Sequence, residues 1–147
     1  MSKKYYARPS GFTKAMNSVF AWMGAHGIGQ KKTVKLEVKG RKSGQMRAVA
    51  VNTIDVNGQR YLVAPRGDTE WSRNARVNPD AVITRGKPEN VTLTEVPVNE
   101  RAPIIQAYLR ENAIVTKREF GVDPKADINV FEEIADKHPV FKVTPRA

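Results

Sequence analysis

Asn57-Gly58 separates two runs that alternate apolar and polar residues, and it is the strongest hairpin signal in the chain. Both residues accept the positive φ that a type I′ turn requires, and that turn matches the natural twist of a strand pair. Residues 46–56 and 59–64 are therefore read as an antiparallel hairpin. A third alternating run, 33–39, precedes it. Residues 81–84 and 91–98 read as two more strands, joined across Gly86-Lys87-Pro88-Glu89, and 140–143 as a closing strand. Short strands broken by turn residues predict an α+β fold built on a mostly antiparallel barrel of about six strands.

Helices are expected between and beyond these strands. Ser10 can cap a helix carrying Phe12, Met16, Val19, Phe20 and Met23 at helical spacing, so 1–30 reads as a helical segment of one domain spanning 1–147. Its aromatics and flanking lysines suit either closure over a ligand or contact with a membrane surface, and both readings stay open. Asp68 or Thr69 can cap a short helix that Pro79 stops, with Trp71, Asn74 and Ala75 on one face. Asn99 is expected to cap a helix at 100–112, and another begins at Asn129 and stops at His138-Pro139. Residues 118–127 read as looser structure.

The turn at 40–47 (Gly40-Arg41-Lys42-Ser43-Gly44-Gln45-Met46-Arg47) carries the chemistry. Gly40 and Gly44 allow a sharp bend or a close approach to a ligand. Arg41 and Arg47 offer planar donor forks, Lys42 a mobile ammonium and Ser43 a hydroxyl, a set suited to phosphate or carboxylate. A basic turn can also do no more than keep a sheet edge soluble. A second glycine-bearing basic turn, Pro65-Arg66-Gly67-Asp68, ends the third strand. In an antiparallel meander alternate turns share one end, so Arg66 is expected beside Arg41, Lys42 and Arg47. The helix that follows would add backbone donors at its N-terminus.

The formal net charge of +10 over 147 residues points to an anionic partner: nucleic acid, an acidic membrane surface or a polyanionic small molecule. Stacking aromatics do not interleave with the basic residues of the sheet, which argues against a specific nucleic-acid platform. The chain has no cysteine and only two histidines, so neither thiolate chemistry nor a zinc-type ligand cluster is expected. No run of about 20 apolar residues is present, and a cytoplasmic protein is expected, membrane-associated at most through its first helix. With no nucleophile elbow, phosphate-binding loop or dinucleotide fingerprint, any chemistry would rest on a bound cofactor that the protein orients.

Gly-Arg-Lys-Ser-Gly-Gln-x-Arg at 40–47, Leu-Val-Ala-Pro-Arg-Gly-Asp at 62–68, Trp-x-x-Asn at 71–74 and His-Pro-Val-Phe at 138–141 resemble the deazaflavin-dependent nitroreductase family of actinobacteria. The resemblance implies a split β-barrel of the flavin-reductase and pyridoxamine-phosphate-oxidase type. It also implies that the chain binds coenzyme F-420, an 8-hydroxy-5-deazaflavin with a phosphate and glutamates on its tail. By this resemblance Arg41, Lys42, Ser43, Gly44, Gln45 and Arg47 would hold the tail. Ala64, Pro65, Arg66 and Gly67 would run along the deazaflavin, and Trp71 and Asn74 would support its binding wall. Reduced coenzyme would pass a hydride to a quinone, nitroaromatic or enone, with Tyr61, Tyr108 or solvent supplying the proton. Better-known members have a longer loop before the tryptophan and pocket tyrosines late in the chain, where Phe131 stands here. An FMN-binding split-barrel reductase and a non-catalytic polyanion binder are the alternatives, and the assembly is expected to be a monomer or a homodimer.

Overall fold

The computed structural model describes residues 33–112 and 120–146. The helical segment expected at 1–30 lies outside the described residues.

Six strands close into an antiparallel barrel: β1 (Thr33–Lys39), β2 (Met46–Val56), β3 (Gln59–Val63), β4 (Asp80–Arg85), β5 (Lys87–Glu95) and β6 (Val140–Pro145). Around the barrel the order is β1-β2-β3-β6-β5-β4, with β4 pairing back onto β1. Helix α1 (Glu70–Val77) lies between β3 and β4. Helices α2 (Ala102–Glu111) and α3 (Ile128–Ile134) lie in the long connection from β5 to β6. The closed antiparallel barrel of six strands with flanking helices is the α+β architecture expected from the sequence. Among the described residues no helix is long and apolar enough to cross a membrane.

Strand alternation divides the core in two. Val34, Leu36, Val38, Leu62, Ile83, Leu93, Phe141 and Val143 form one buried cluster inside the barrel. Their sequence neighbours Val63 and Val140 belong to a second cluster with Ile105, Leu109 and Phe131 from the α2–α3 layer outside. Successive residues of a strand point to opposite faces, so β3 and β6 feed both layers at once. Trp71 and Ala75 of α1 join the interior cluster, and α1 packs against β1 and β5 at one end of the barrel.

The β2–β3 turn has positive φ at both Asn57 and Gly58, as a type I′ hairpin requires. Elsewhere the observed boundaries correct the expected ones. Only Gly86 separates β4 from β5, so Lys87, Pro88 and Glu89 are strand rather than loop. β6 pairs with β5 only from Val91 onward, leaving Pro88 on an edge where its missing N–H costs no ladder bond. β5 ends at Glu95 rather than residue 98, because Pro97 cannot donate and Val98–Glu100 turns as a 3-10 helix. Helix α2 accordingly starts at Ala102 with Arg101 at its cap position and Pro103 in its first turn, not at a cap on Asn99.

Candidate functional site

The β1–β2 turn is built from its own backbone. Gly40 N–H donates to the Gln45 carbonyl at 2.8 Å, and Gly44 N–H to the Gly40 carbonyl at 3.0 Å. Gly44 sits at φ +72°. A Cβ at Gly40 would crowd the turn, meeting Ser43 Oγ at 2.6 Å and the Gln45 carbonyl at 3.2 Å. Ser43 Oγ accepts the Gln45 N–H at 3.2 Å. Lys42, Ser43, Gly44, Gln45 and Arg47 are all exposed, and Lys42 and Arg47 form no hydrogen bond or salt bridge among the described residues.

Arg41 differs from its neighbours. Its backbone N–H and its Nη1 both donate to Asn74 Oδ1, at 3.1 and 2.8 Å. The same Nη1 donates to Glu70 Oε2 at 2.8 Å. Asn74 is buried on the inner face of α1, whereas the Glu70 side chain is 64% exposed. The hydrogen bond from Arg41 holds the Glu70 carboxyl below the usual glutamate range. A further bond, from Asn78 Nδ2 to the Lys39 carbonyl at 3.1 Å, ties the end of α1 to the end of β1. The turn at 40–45 and the connection after β3 thus share one end of the barrel, as the meander implies, and Asn74 joins them. Arg66 is half-buried on that connection and makes no hydrogen bond or ion pair with the turn. The sequence reading missed Glu70, although its i, i+4 spacing from Asn74 puts both on one helix face.

The second turn is anchored from behind. Ala64 N–H donates to the Pro139 carbonyl at 2.9 Å, and Gly67 N–H closes back on the Ala64 carbonyl at 3.2 Å. His138 Nδ1 lies 3.0 Å from the Ala64 carbonyl, an atom that can only accept, so Nδ1 carries the proton. Burial pushes the imidazole pKa down to about 4, against the pull of that carbonyl, and His138 is neutral at pH 7. The Phe120 ring packs on it with centroids 4.2 Å apart. Gly67 holds φ +94°, and Thr69 Oγ1 beyond it is buried without a hydrogen-bond partner among the described residues.

The other flank of α1 carries a closed ion-pair network. Asp68, 3% exposed, accepts from Ser72 Oγ at 2.9 Å and from Arg76 at 3.2 Å, and its Oδ2 lies 3.6 Å from Arg73 Nε. Arg76 also makes a two-pronged contact with Glu95 at 2.8 Å, which raises its pKa further. Arg101 donates to Glu95, and to the carbonyls of Val96 and Ala135 at 2.8 and 3.2 Å. Desolvation lowers the Arg101 pKa, with Glu95 acting in the opposite sense. This network locks α1 to the end of β5 and to the segment before β6.

The remaining candidates separate by layer. Trp71 is half-buried and packs on Phe141, with centroids 5.5 Å apart, against the interior cluster of the barrel. Tyr108 is 3% exposed in the α2–α3 layer, 6.1 Å from the Phe120 ring, and half-buried Tyr61 packs against that same layer. Neither tyrosine belongs to the cluster beside the cradle. Phe131 is fully buried in the outer core.

A family model described as F420H(2)-dependent quinone reductase matches residues 14–133. The chain belongs to that family. Membership makes it an oxidoreductase with coenzyme F-420 as the implied reductant. Solved structures show the same fold at low identity. One is an F420-H2 dependent reductase, 21% identical over 77% of this chain and 94% of that one, with a TM-score of 0.50. Another, assigned as a pyridoxamine 5′-phosphate oxidase from Listeria innocua, is 12% identical over 79% and 85% of the two chains, also at 0.50. A third, described as a domain-swapped dimer, is 18% identical over 88% and 94%, with a TM-score of 0.54. Comparison with curated proteins finds no match. For a member of this family, a cradle, a pinned turn and a helix face converge at one end of the barrel.

Proposed function

We propose that the chain reduces quinones, or related conjugated acceptors such as nitroaromatics and enones, with reduced coenzyme F-420. The observation that carries this reading is the pair Lys42, on the β1–β2 turn, and Arg47, at the start of β2: two exposed cations with no hydrogen bond or salt bridge among the described residues, beside a turn tied to α1 through Asn74. The donor set fits the coenzyme's phosphate and glutamates: two mobile cations, the Arg41 guanidinium, the Ser43 hydroxyl and exposed backbone at Gly44 and Gln45. Ala64, Pro65, Arg66 and Gly67 would lie along the ring system, where orphaned Thr69 Oγ1 fits a missing hydrogen-bond partner. Trp71 and Asn74 would back that wall.

When bound and reduced, the deazaflavin supplies a hydride; with one proton this takes a quinone to its hydroquinone. The protein's own share is positioning and exclusion of water. Asn74 fixes the height of the cradle against α1, and His138 fixes the Ala64 carbonyl and hence the second turn. Solvent is the favoured proton source, since Tyr108 is sealed in the outer layer and Tyr61 packs against it. A homodimer is the proposed assembly, by analogy with the swapped relative. A light-scattering mass checks it.

The functional test titrates the protein with coenzyme F-420 and with FMN, following each fluorophore, and then follows menadione reduction by the reduced deazaflavin. Micromolar or tighter binding of the deazaflavin alone, with turnover, is expected. Preference for FMN, or displacement by micromolar DNA without any reductase activity, contradicts the reading.

A further inference from the structure

We propose that Glu70 is an internal competitor for the cradle: its carboxylate holds Arg41 in the ligand-free protein and is displaced when an anionic tail binds. The proposal deepens the functional reading above and rests on it for the identity of the tail.

Arg41 has two partners of unequal permanence. Asn74 is buried, accepts from both the backbone and the side chain of Arg41, and belongs to the face of α1 that packs on the barrel. It cannot leave without opening that interface. Glu70 meets the same Nη1 at 2.8 Å from outside, on a flexible stem with a 64% exposed side chain, while Arg41 is only 20% exposed. One partner is a fixture and the other is exchangeable.

The exchangeable partner resembles the ligand. A glutamate carboxylate 2.8 Å from a guanidinium is the contact that a glutamate or phosphate oxygen of an incoming tail would make. Lys42 and Arg73 also act on Glu70, so the carboxylate sits in the field the turn would offer a ligand. An anion settling beside Arg41 and Lys42 while Glu70 stays would place two like charges against one guanidinium, and their repulsion favours exchange. Leaving is inexpensive for Glu70: as the first residue of α1 it keeps the favourable helix N-terminus when it swings into water. The consequence is selectivity. A monovalent anion gains little over the resident carboxylate, whereas a tail carrying several charges also engages Lys42 and Arg47 and wins the exchange.

The test uses wild type, Glu70→Gln, Arg41→Ala and the double variant, titrated with coenzyme F-420 by fluorescence and with inorganic pyrophosphate by calorimetry. Exposed pairs are worth little, so Glu70→Gln should bind each probe about two- to fivefold more tightly than wild type. That gain should vanish in the Arg41→Ala background, because the competition runs through Arg41. Equal or weaker binding by Glu70→Gln overturns the proposal, showing that Glu70 merely positions Arg41. A gain that persists without Arg41 also overturns it, since a general field effect then suffices. An Arg41-dependent gain on pyrophosphate with no binding of coenzyme F-420 supports the exchange and refutes the proposed function. Coenzyme binding with no gain on either probe refutes the exchange and supports the function. Melting curves of Glu70→Gln should overlay wild type.

Discussion

The two flanks of α1 carry arginines in opposite circumstances. On one flank three arginines, Arg73, Arg76 and Arg101, share two carboxylates, Asp68 and Glu95, and each arginine has an acidic partner within the fold. On the other, Arg41 is held by Asn74 and an exposed glutamate, while Lys42 and Arg47 form no hydrogen bond or salt bridge among the described residues. The first arrangement is anchored by two buried ions, Asp68 and Arg101, each taken out of water because a partly exposed counter-charge lies beside it. The second leaves positive charge where a solute can reach it. A basic residue therefore means different things on either side of one eight-residue helix. Internally matched charge holds the barrel end together, and unmatched charge calls for a partner.

If that contrast is right, removing matched charge should cost stability and removing unmatched charge should not. The largest effect is expected at Asp68. Asp68→Ala takes the shared carboxylate from Arg73 and Arg76 and leaves Ser72 Oγ with the Thr69 carbonyl alone. After allowing for the partial exposure of the arginines, the loss should be roughly 2–4 kcal/mol, read from urea unfolding. A loss below about 1 kcal/mol would erase the distinction between the flanks.

His138 comes next and introduces pH. Its folded pKa, about 4, lies below the ordinary histidine value of 6.5, so the unfolded chain binds the proton first. Its contribution is intact above pH 6.5 and is lost as pH falls toward 4, below which both states are protonated. Between pH 7 and 4.5 wild type should lose roughly 2–3 kcal/mol more than His138→Asn. Parallel pH profiles for the two proteins would show that the imidazole is not buried neutral against Ala64.

Trp71 sits on the boundary between the regions. Truncating a half-buried indole against Phe141 should cost about 2 kcal/mol. If Trp71 also walls the ligand, Trp71→Ala should weaken deazaflavin binding in molecules that are still folded. Normal binding by the folded variant would assign it to the core alone.

How legible all this was depends on sequence distance. The strands could be read because alternation is local, and Asn57-Gly58 names its own turn. Convergence of the two glycine turns followed from parity along a meander, with no side chain needed. The misplaced boundaries turn on proline: Pro88 reads as a break yet sits in a strand on an unpaired edge, whereas Pro97 reads as strand although it follows the end of β5. The ion-pair network could not be read, because Asp68, Glu95 and Arg101 are brought together only by closure of the barrel. Asn74 was expected on the correct face but not as the clamp on Arg41, a contact spanning 33 positions. His138 looked like a helix stop, and its partner Ala64 lies 74 residues away.

The smallest expected effect on stability accompanies the measurement that tests the central claim most directly. Lys42→Ala and Arg47→Ala each remove an exposed, unpartnered cation, and relief of self-repulsion in a +10 chain should leave unfolding within about 0.5 kcal/mol of wild type. Each should nonetheless weaken binding of coenzyme F-420 by about tenfold, from roughly 1–1.5 kcal/mol of charge-assisted hydrogen bonding at a partly exposed site. Turnover at saturating coenzyme should stay near wild type, since these residues would touch the tail and not the ring. Fluorescence titration of the two variants beside wild type decides it: unchanged stability with a tenfold loss of affinity is predicted. Wild-type affinity in both variants would make the turn an ordinary basic hairpin and contradict the account.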